Sequence, residues 1–450
     1  MKARKLSPNQ FDFTQEQLQN YAQRLQPMIQ CKTISVRDSY DDTEFGKLRD
    51  IMAQLFPLVH AKAQRLTFSE DCWIYQLPGK DTTRNILLMS HHDVFSANGS
   101  WQHDPFGGEI SEGQLWGRGT VDTKTPLFAE FSALEEMLEA GETLPCNVWL
   151  GSSHNEELGG DGIPKALEYF KANGITFEVI LDEGGAIIDP PLGGMKCEKC
   201  AMVAVHEKGR YYLDCTATAG TSHTGITSAS SSSPAERMAA FIHEVTAGNL
   251  FIRRLNPQVK AMLRHLAPYC GFPMKQILGN LWLFGGILEK VMPKINAQAG
   301  AMIGTTCCFY NISGDQLKCT TTAVLKSVDS TDMEKDIAAL KAVAEKYGIT
   351  VTKSPRSEYH EPADMRKPQF AYTMNCIAAV FPQYPAAPMI LPAGTDARTL
   401  TDVCPCVLRF APITLSKEQL AGVHSEEERI SLTAIAEAVV FYKHFIRNYP

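Results

Sequence analysis

ILLMSHHDVF, residues 86–95, changes from apolar to polar directly after Met89. The apolar half has the composition of a buried strand. Side chains two residues apart on a strand point to the same face, so His91 and Asp93 are expected to face together and His92 to face the other way. A His-x-Asp pair suits an imidazole that binds a metal while a carboxylate orients it. Taken alone, the pair is more typical of a hydrogen-bonded structural feature.

The composition is that of an ordinary soluble globular protein, with 44% hydrophobic and 21% charged residues. A length of 450 residues predicts two or three domains. The net charge of −7 and the scattered basic residues argue against nucleic-acid binding. The N-terminus lacks the apolar segment of a secretory signal, and no apolar run approaches the ~20 residues of a membrane span. Thirteen cysteines without a disulfide framework then predict reduced thiols and a cytoplasmic location.

Strands alternate with helices through the first 205 residues, which is typical of an α/β fold. Beyond residue 205 the pattern changes to three predicted strands and two helices, with extra helical sequence at 256–295. The α/β pattern returns after residue 357. We therefore predict a larger α/β domain, residues 1–205 and 357–450, with a mostly parallel central sheet flanked by helices. A smaller α+β sandwich domain, residues 206–356, interrupts it.

Four further groups of acidic or imidazole residues follow predicted strands or turns: Asp122, the pair Glu156 and Glu157, Asp182, and His424. A carboxylate at a helix N-terminus explains Asp122 alone, and a solvated surface explains the glutamate pair alone. However, the carboxyl ends of parallel strands meet at one edge of a sheet, and adjacent glutamates need a compensating positive charge. Two histidines and three carboxylates form the ligand set expected of a zinc pair.

With these motifs in order, the sequence resembles the dizinc exopeptidase family of aminoacylases, carboxypeptidase G-type and S-type enzymes, and di- and tripeptidases. The resemblance rests on SHHDVF, WQHDPFGGEISEGQLWGRGTVDTK, SSHNEELGG, LDEGG, the SHTG around His223, AGTDAR and VHSEEERI. These stretches extend along nearly the whole chain. The carboxypeptidase S-like branch is the most similar.

The resemblance implies a site for two Zn²⁺ ions, with Co²⁺ or Mn²⁺ as alternatives. Five side chains would hold them: His91 and Asp182 one ion, Glu157 and His424 the other, with Asp122 bridging both. The peptide bond from Asp122 to Thr123 would be strained or cis. The larger domain would be catalytic, and the smaller one would serve as a lid and dimerisation domain.

The resemblance also implies catalytic roles. Glu156 would be the general base for a hydroxide that bridges the two zinc ions, and Asp93 would orient His91. His223 would reach the active site of the partner subunit and help to bind the oxyanion. Arg398 would hold a substrate carboxylate, although a surface salt bridge explains this arginine nearly as well.

The expected activity is therefore metal-dependent hydrolysis of an amide bond in a small peptide or an N-acyl amino acid. A peptidase and an N-acyl amino acid hydrolase both remain open, and a non-catalytic relative that binds metal or peptide is the alternative from another class. Ser222 and Lys326 depart from the family pattern, which weakens the roles of His223 and of the carboxylate pocket. We expect a homodimer through the inserted domain, although the helices at 256–295 would also be able to cover that surface.

Overall fold

The protein is described here by a computed structural model, which covers residues 4–9, 11–219, 233–248, 250–295, 297–315 and 317–450. The chain divides into two compact units. The larger unit consists of Met1–Val205, Arg264–Lys275 and Pro362–Pro450, and the smaller of His206–Leu263 and Gln276–Glu361.

This division differs from the predicted domain boundaries at two places. Arg264–Lys275 falls in the larger unit, where the backbone oxygen of Tyr269 accepts a hydrogen bond of 2.8 Å from the backbone N–H of Lys196. The segment around Glu358 falls in the smaller unit, because Glu358 and Arg210 exchange backbone hydrogen bonds of 2.8 and 2.9 Å. Both contacts join residues that are far apart in sequence. The lid and dimerisation role of the smaller unit stays a prediction.

The elements up to residue 207 begin with three helices, after which strands are interrupted by two further helices. They are α1 (Gln15–Ile29), α2 (Asp42–Leu55), α3 (Pro57–Lys62), β1 (Gln64–Phe68), β2 (Cys72–Leu77), β3 (Asp81–His91), β4 (Ile110–Ser111), β5 (Gln114–Trp116), α4 (Lys124–Glu139), β6 (Cys146–Ser153), α5 (Gly162–Ala172), β7 (Val179–Asp182), β8 (Ile187–Ile188) and β9 (Cys200–Glu207). Local sequence explains where α1 begins: the Thr14 hydroxyl accepts from the Gln17 N–H, and the Gln17 side chain accepts from the Thr14 N–H.

The elements that follow are β10 (Gly209–Thr218), α6 (Pro234–Ala247), α7 (Pro257–Leu266), α8 (Met274–Gly279), α9 (Leu281–Ile295), α10 (Ala297–Met302), β11 (Thr306–Gly314), β12 (Lys318–Ser327), α11 (Ser330–Lys346) and β13 (Ile349–Lys353). The chain ends with α12 (Pro368–Val380), β14 (Ala386–Leu391), β15 (Val407–Arg409), α13 (Lys417–Gly422), β16 (Arg429–Ser431) and α14 (Leu432–Arg447). In the described part of the chain, no helix is both long enough and apolar enough to cross a membrane.

The large sheet has the strand order β1-β2-β6-β3-β7-β15-β9-β14, with β8 paired to β9. Its central strands are parallel, because β3 pairs in parallel with both β6 and β7, and β7 with β15. Antiparallel pairs join β1 to β2, β2 to β6, and β15 to β9. The predicted α/β fold, with a mostly parallel central sheet flanked by helices, is confirmed.

Helix α4 is buried along nearly its whole length and packs against β3, α1 and α14. Phe131 is one of its core residues, and burying a side chain of this size contributes about 1.5–3 kcal/mol to folding. At its first residue, the buried amine of Lys124 donates to the backbone oxygens of Met28 and Cys31 at 2.9 and 2.8 Å. The start of α4, immediately after Asp122 and Thr123, is therefore firmly held.

The smaller unit has a four-stranded antiparallel sheet with the order β11-β12-β10-β13. Helices α6 and α11 pack on it over a core that includes Leu213, Phe241, Leu325 and Leu340. This is the predicted α+β arrangement with one additional strand, β11. β11 is one of the two edge strands of this sheet, is largely exposed and so lacks the alternating apolar pattern that predicts a half-buried strand.

Candidate metal centre

His91, Asp182 and the pair Glu156 and Glu157 lie at or just after the ends of three strands at one edge of the large sheet. β3 ends at His91 and β6 at Ser153, and these two residues are register partners. β7, which ends at Asp182, pairs with β3 on the other side. Because the strands are parallel, the loops that follow all three are brought together at this edge.

The ring of His91 is buried and contacts two aspartates. Its Nε2 lies 2.9 Å from Asp122 Oδ1, and its Nδ1 lies 3.0 Å from the backbone oxygen of Asp93. The ring of His92 lies on the opposite face, where it stacks on Trp73 with a centroid distance of 4.0 Å. The alternation expected from the sequence is confirmed, and His92 is a core residue.

Asp93 holds the turn that follows β6. Its Oδ1 accepts from the Glu156 N–H at 3.2 Å, and its Oδ2 accepts from the Glu157 N–H at 3.1 Å. Both glutamates belong to a short 3-10 helix, Glu156–Leu158. The same carboxylate lies 3.3 Å from the ring of His91, so it positions an imidazole and two glutamates together.

Asp122 lies between two imidazoles in the turn before α4. Its Oδ1 is 2.9 Å from His91 Nε2, and its Oδ2 is 2.9 Å from His424 Nε2. The peptide bond from Asp122 to Thr123 is cis, one of the two forms that the family resemblance implied. Because each oxygen faces a different imidazole nitrogen, the carboxylate has the orientation of a bridging ligand.

His424 is brought to this carboxylate by the loop before β16. Its Nε2 also lies 3.1 Å from Glu157 Oε2, and its ring stacks on Phe95 with a centroid distance of 4.5 Å. Its φ of 58° is in the left-handed region, which residues other than glycine rarely adopt. The loop therefore holds His424 in a conformation that sequence propensity does not favour.

A buried ion pair between Arg118 and Glu428 lies beside these groups. Arg118 Nη1 donates to Glu428 Oε2 at 2.6 Å, and Arg118 Nη2 donates to the backbone oxygen of Ser425 at 2.8 Å. Glu428 Oε1 accepts from the Asp122 N–H at 3.1 Å. The pair joins the turn that carries Asp122 to the loop that carries His424. Its role was not predicted, although both residues lie inside motifs that carry the resemblance.

The donor set fits a divalent cation. One ligand atom each from His91, Asp122 and Glu157 lie within 4.8 Å of one another. Glu157 Oε1 is buried and has no hydrogen-bond partner among the described residues. A buried carboxylate oxygen without a partner is unfavourable unless a positive charge compensates it, and imidazole and carboxylate are ligands that Zn²⁺ prefers.

The pKa values of the cluster show the same need for positive charge. Burial raises the pKa of Asp122, but hydrogen bonds from His424 and His91 outweigh it and hold that pKa well below its usual range. Hydrogen bonds to Asp122 and Glu157 raise the pKa of His424 to about 10. The carboxylates therefore favour cations beside them, which is the role that a metal ion fills.

Glu156 is partly buried beside two further carboxylates, those of Asp93 and Asp396. Burial raises its pKa to about 9, the charge of His91 lowers it, and the charges of Asp396 and Asp93 raise it further. Asp396 belongs to the AGTDAR segment, is buried and accepts a hydrogen bond from the hydroxyl of Ser153. Asp396 was not predicted as a site residue, although it lies two positions before Arg398 in a quoted motif.

The two acidic residues at the end of β7, Asp182 and Glu183, have different surroundings. Asp182 Oδ1 accepts from the Glu183 N–H at 2.9 Å, and Asp182 Oδ2 accepts from the Ala397 N–H at 3.1 Å. Burial raises the pKa of Glu183 well above its usual range, the charges of Asp122 and Asp182 add to this effect, and that of His91 opposes it. Asp182 stays a prediction, and Glu183 is a second candidate ligand. Two adjacent acids in LDEGG were the signal for it.

Arg398 is half-buried near the turn that begins at Glu156. Its Nη1 donates to the backbone oxygen of Thr395 at 2.7 Å, and its Nη2 lies 3.8 Å from the position that a Cβ on Gly159 would occupy. It thus lies near the end of the turn that carries Glu156 and Glu157. The predicted residue His223 lies outside the described residues.

Comparison with known proteins identifies the family. The model of peptidase family M20/M25/M40 matches residues 87–448. The probable carboxypeptidase S-like 2 of Dictyostelium discoideum is 28% identical over 464 residues, covering 98% of this chain and 88% of the relative. The N-fatty-acyl-amino acid synthase/hydrolase PM20D1 of Xenopus tropicalis is 27% identical over 455 residues, covering 97% and 87%.

Among solved structures, the M20 family metallo-carboxypeptidase Sso-CP2 from Sulfolobus solfataricus has a TM-score of 0.66 at 16% identity, covering 95% of this chain and 98% of that one. This likeness shows the shared fold. The family match extends over most of the chain and confirms the resemblance seen in the motifs. The chain belongs to peptidase family M20/M25/M40 and is an enzyme of the metallopeptidase and amidohydrolase class.

Proposed function

We propose that the enzyme binds two divalent cations, with Zn²⁺ as the preferred candidate. We further propose that it hydrolyses an amide bond in a small peptide or an N-acyl amino acid. The observation that carries this proposal is the position of Asp122. Its two oxygens each lie 2.9 Å from a different imidazole, that of His91 on one side and that of His424 on the other. A carboxylate flanked in this way suits two cations that share one ligand.

We assign His91 and an acid of the LDEGG segment to one ion, and Glu157 and His424 to the other. For the acid, the family resemblance implied Asp182, but we propose Glu183 as the better candidate. Both oxygens of Asp182 already accept backbone hydrogen bonds. Burial and the charge of Asp396 raise the pKa of Asp182 to about 7. Burial and then the charges of Asp122 and Asp182 raise the pKa of Glu183, so a cation beside Glu183 would relieve repulsion from the proposed bridging carboxylate.

Bound cations of this kind polarise a substrate carbonyl and lower the pKa of a shared water. Glu156 is the proposed general base, which takes a proton from the water and later donates it to the leaving nitrogen. Its backbone is held by Asp93 at 3.2 Å. Burial raises its pKa to about 9, which favours the protonated form needed in the second step, and nearby cations would lower that pKa toward neutrality.

The substrate is proposed to carry a free carboxylate. The names of the two relatives describe a carboxypeptidase-like protein and an enzyme of N-fatty-acyl amino acids, and both kinds of substrate end in an amino-acid carboxylate. Arg398 has the planar fork that binds such a group through two hydrogen bonds. Its position beside Gly159 supports this role. His223 is proposed to assist at the oxyanion.

Metal analysis and a substrate panel together test the proposal. Protein reconstituted with Zn²⁺, Co²⁺ or Mn²⁺ is expected to bind two ions per chain and to cleave members of a panel of dipeptides and N-acyl amino acids. Cleavage of the dipeptides only would indicate a peptidase, and cleavage of the N-acyl amino acids only would indicate an N-acyl amino acid hydrolase. Two bound ions without cleavage of any member would favour the non-catalytic binding protein instead.

We also propose a homodimer formed through the smaller unit. The edge strand β11 has the exposed side chains of Tyr310 and Ile312, which are 53% and 60% exposed. An outer strand of this kind presents backbone groups that can pair with a second copy. A monomeric mass in solution, together with an unchanged rate for His223→Ala, would contradict the dimer. The cytoplasmic location stays a prediction, which cell fractionation tests.

A further inference from the structure

Helix α9 presents a solvent-facing side that combines apolar and basic residues without an acid. The exposed residues of this helix are Trp282, Leu283, Gly286, Ile287, Lys290, Val291, Lys294 and Ile295. Their spacing, in pairs repeated every four residues, places them along one side of a helix. We call this side the outer face of α9. Trp282 is 82% exposed on it and Ile295 is 68% exposed.

The opposite side of α9 fixes the helix to the smaller unit. Leu281, Gly285 and Met292 are buried there, and Glu289 Oε1 accepts from the Leu255 N–H at 2.8 Å. The acidic side chain of α9 is therefore used within the protein. Five of the twelve large hydrophobic side chains exposed in the described residues lie on the outer face, so the exposure is concentrated at one place.

The sequence around α9 is basic although the chain as a whole is acidic. The formal net charge of the chain is −7, but residues 253–295 contain seven Lys or Arg residues and one acidic residue, Glu289. Arg254 is paired with Asp329 and Asp332, whereas Lys290 and Lys294 lie on the outer face. A basic sequence with an apolar helix face is typical of helices that lie on anionic lipid surfaces. Neither the hydrolytic site nor the proposed dimer strand requires this charge pattern.

We propose that the outer face of α9 binds an anionic lipid bilayer, with the helix lying in the plane of the surface. Trp282, Leu283 and Ile287 enter the boundary between headgroups and acyl chains. The amines of Lys290 and Lys294 contact headgroup phosphates, since long lysine side chains reach from an apolar surface to polar groups. At fifteen residues the helix is about 22 Å long, which suits a helix that lies on a membrane and does not cross it.

A second copy of the chain fits the outer face less well. In a two-fold contact the same patch meets itself, so Lys290 and Lys294 of both copies would enter one interface. The outer face has no carboxylate to neutralise them, and burying like charges together is unfavourable. Anionic headgroups supply the missing charge.

Vesicle co-sedimentation of the full chain tests this proposal. One set of vesicles contains phosphatidylcholine only, and a second contains about one-third phosphatidylglycerol. We expect the partition coefficient to be at least about ten-fold higher for the anionic vesicles at low salt, and to fall as salt is raised. Equal binding to both sets, or binding to neither, would overturn the proposal.

Two variants divide the apolar and basic contributions. Trp282→Ser with Ile287→Ser is expected to lower binding to anionic vesicles at least about ten-fold. The double substitution Lys290→Gln with Lys294→Gln replaces exposed charged side chains by exposed neutral ones and leaves the packing intact. It is expected to abolish the preference for anionic lipid. Leu420→Ser is the matched control, since Leu420 is 46% exposed on α13, and it is expected to bind as the original chain does.

The mass of each protein in solution separates lipid binding from self-association. The proposal expects the same mass for the original chain and for both α9 variants. A dimer that becomes monomeric in Trp282→Ser with Ile287→Ser, without vesicle binding by the original chain, would identify the outer face as a contact between copies and would overturn the proposal. Unchanged hydrolysis of a small soluble substrate checks that every variant is folded.

Discussion

The guanidinium of Arg118 lies 2.6 Å from a carboxylate oxygen of Glu428, and both side chains are almost completely buried. The second oxygen of Glu428 accepts from the Asp122 N–H, so the pair supports both the fold and the proposed bridging ligand. A buried charge that loses its partner destabilises a protein by about 3–5 kcal/mol. We expect Glu428→Gln to lower the free energy of unfolding by this order and to weaken metal binding at least about ten-fold.

Urea unfolding and competition with a chelator measure the two effects of Glu428→Gln. Glu426→Gln is the matched control two residues away, because Glu426 is exposed and accepts from the Ser100 N–H at 2.7 Å. A surface change of this kind is expected to alter the free energy of unfolding by less than about 1 kcal/mol. Equal effects of the two substitutions would argue against a positioning role for the buried pair.

Substitution of the adjacent residues Glu156 and Glu157 by glutamine is predicted to affect different properties, turnover in one case and metal content in the other. Glu156→Gln is expected to keep both ions and to lose turnover by at least about 10²-fold, because only the proton acceptor is removed. Glu157→Gln is expected to lose an ion, since its carboxylate lies 3.1 Å from His424 and within the ligand cluster. Metal content and rate are measured on the same samples. Full activity of Glu156→Gln would refute its assignment as the base.

The LDEGG segment offers a second comparison between neighbours. If Glu183 is the ligand, Glu183→Gln lowers the metal content by one ion per chain, and Asp182→Asn keeps both ions. Asp182→Asn retains an acceptor oxygen for the Ala397 N–H, which limits its effect on the fold. Metal analysis after dialysis reads out the difference. The reverse pattern would identify Asp182 as the ligand, as the family resemblance implied.

Glu437 on α14 is predicted to make folding stability depend on pH. Burial raises its pKa from 4.5 to about 7. A carboxyl group with a higher pKa in the folded state binds its proton more tightly there, so it favours the fold below pH about 4.5 and loses that contribution as the pH rises through about 7. Glu437→Gln removes the titration and keeps an oxygen to accept from Asn9, which donates at 2.9 Å.

The free energy of unfolding of Glu437→Gln, relative to the original chain, is therefore expected to rise by about 2–3 kcal/mol between pH 4.5 and pH 8. Urea unfolding at the two pH values measures this. Glu168→Gln, on the exposed side of α5, serves as the control and is expected to show no such rise. The free energies of unfolding of Glu437→Gln and of the original chain could instead differ by the same amount at both pH values. That result would rule out titration of the buried carboxyl group.

Much of the site was predictable because a strand imposes a period of two on its side chains. That period placed His91 and Asp93 on one face and His92 on the other, and the structure has this arrangement. The order of the motifs also predicted that strand ends would converge, since parallel strands meet at one edge. This alternation of side chains does not continue into the loop after β7, so it does not predict which of the two acids there faces the site. The choice between Asp182 and Glu183 therefore required the contacts of each carboxylate.

Other features depend on contacts between residues that are distant in sequence. Arg118 in a glycine-rich turn resembles a solvated loop residue until Glu428, near the other end of the chain, is brought to it. The placement of Arg264–Lys275 in the larger unit follows from contacts such as that between Tyr269 and Lys196. No local pattern predicts these pairings, because each is decided by tertiary packing.

Asp93 gives this enzyme a constraint on how its activity can be adjusted. One carboxylate lies against the ring of His91 and also accepts from the main chain of Glu156, so a change at position 93 would alter a proposed ligand and the proposed base simultaneously. A change in the basicity of Glu156 that keeps the proposed ligand His91 in place therefore has to arise from another residue. Asp396 provides such a position, because its charge raises the pKa of Glu156 and its carboxylate accepts from the Ser153 hydroxyl, not from the main chain of Glu156.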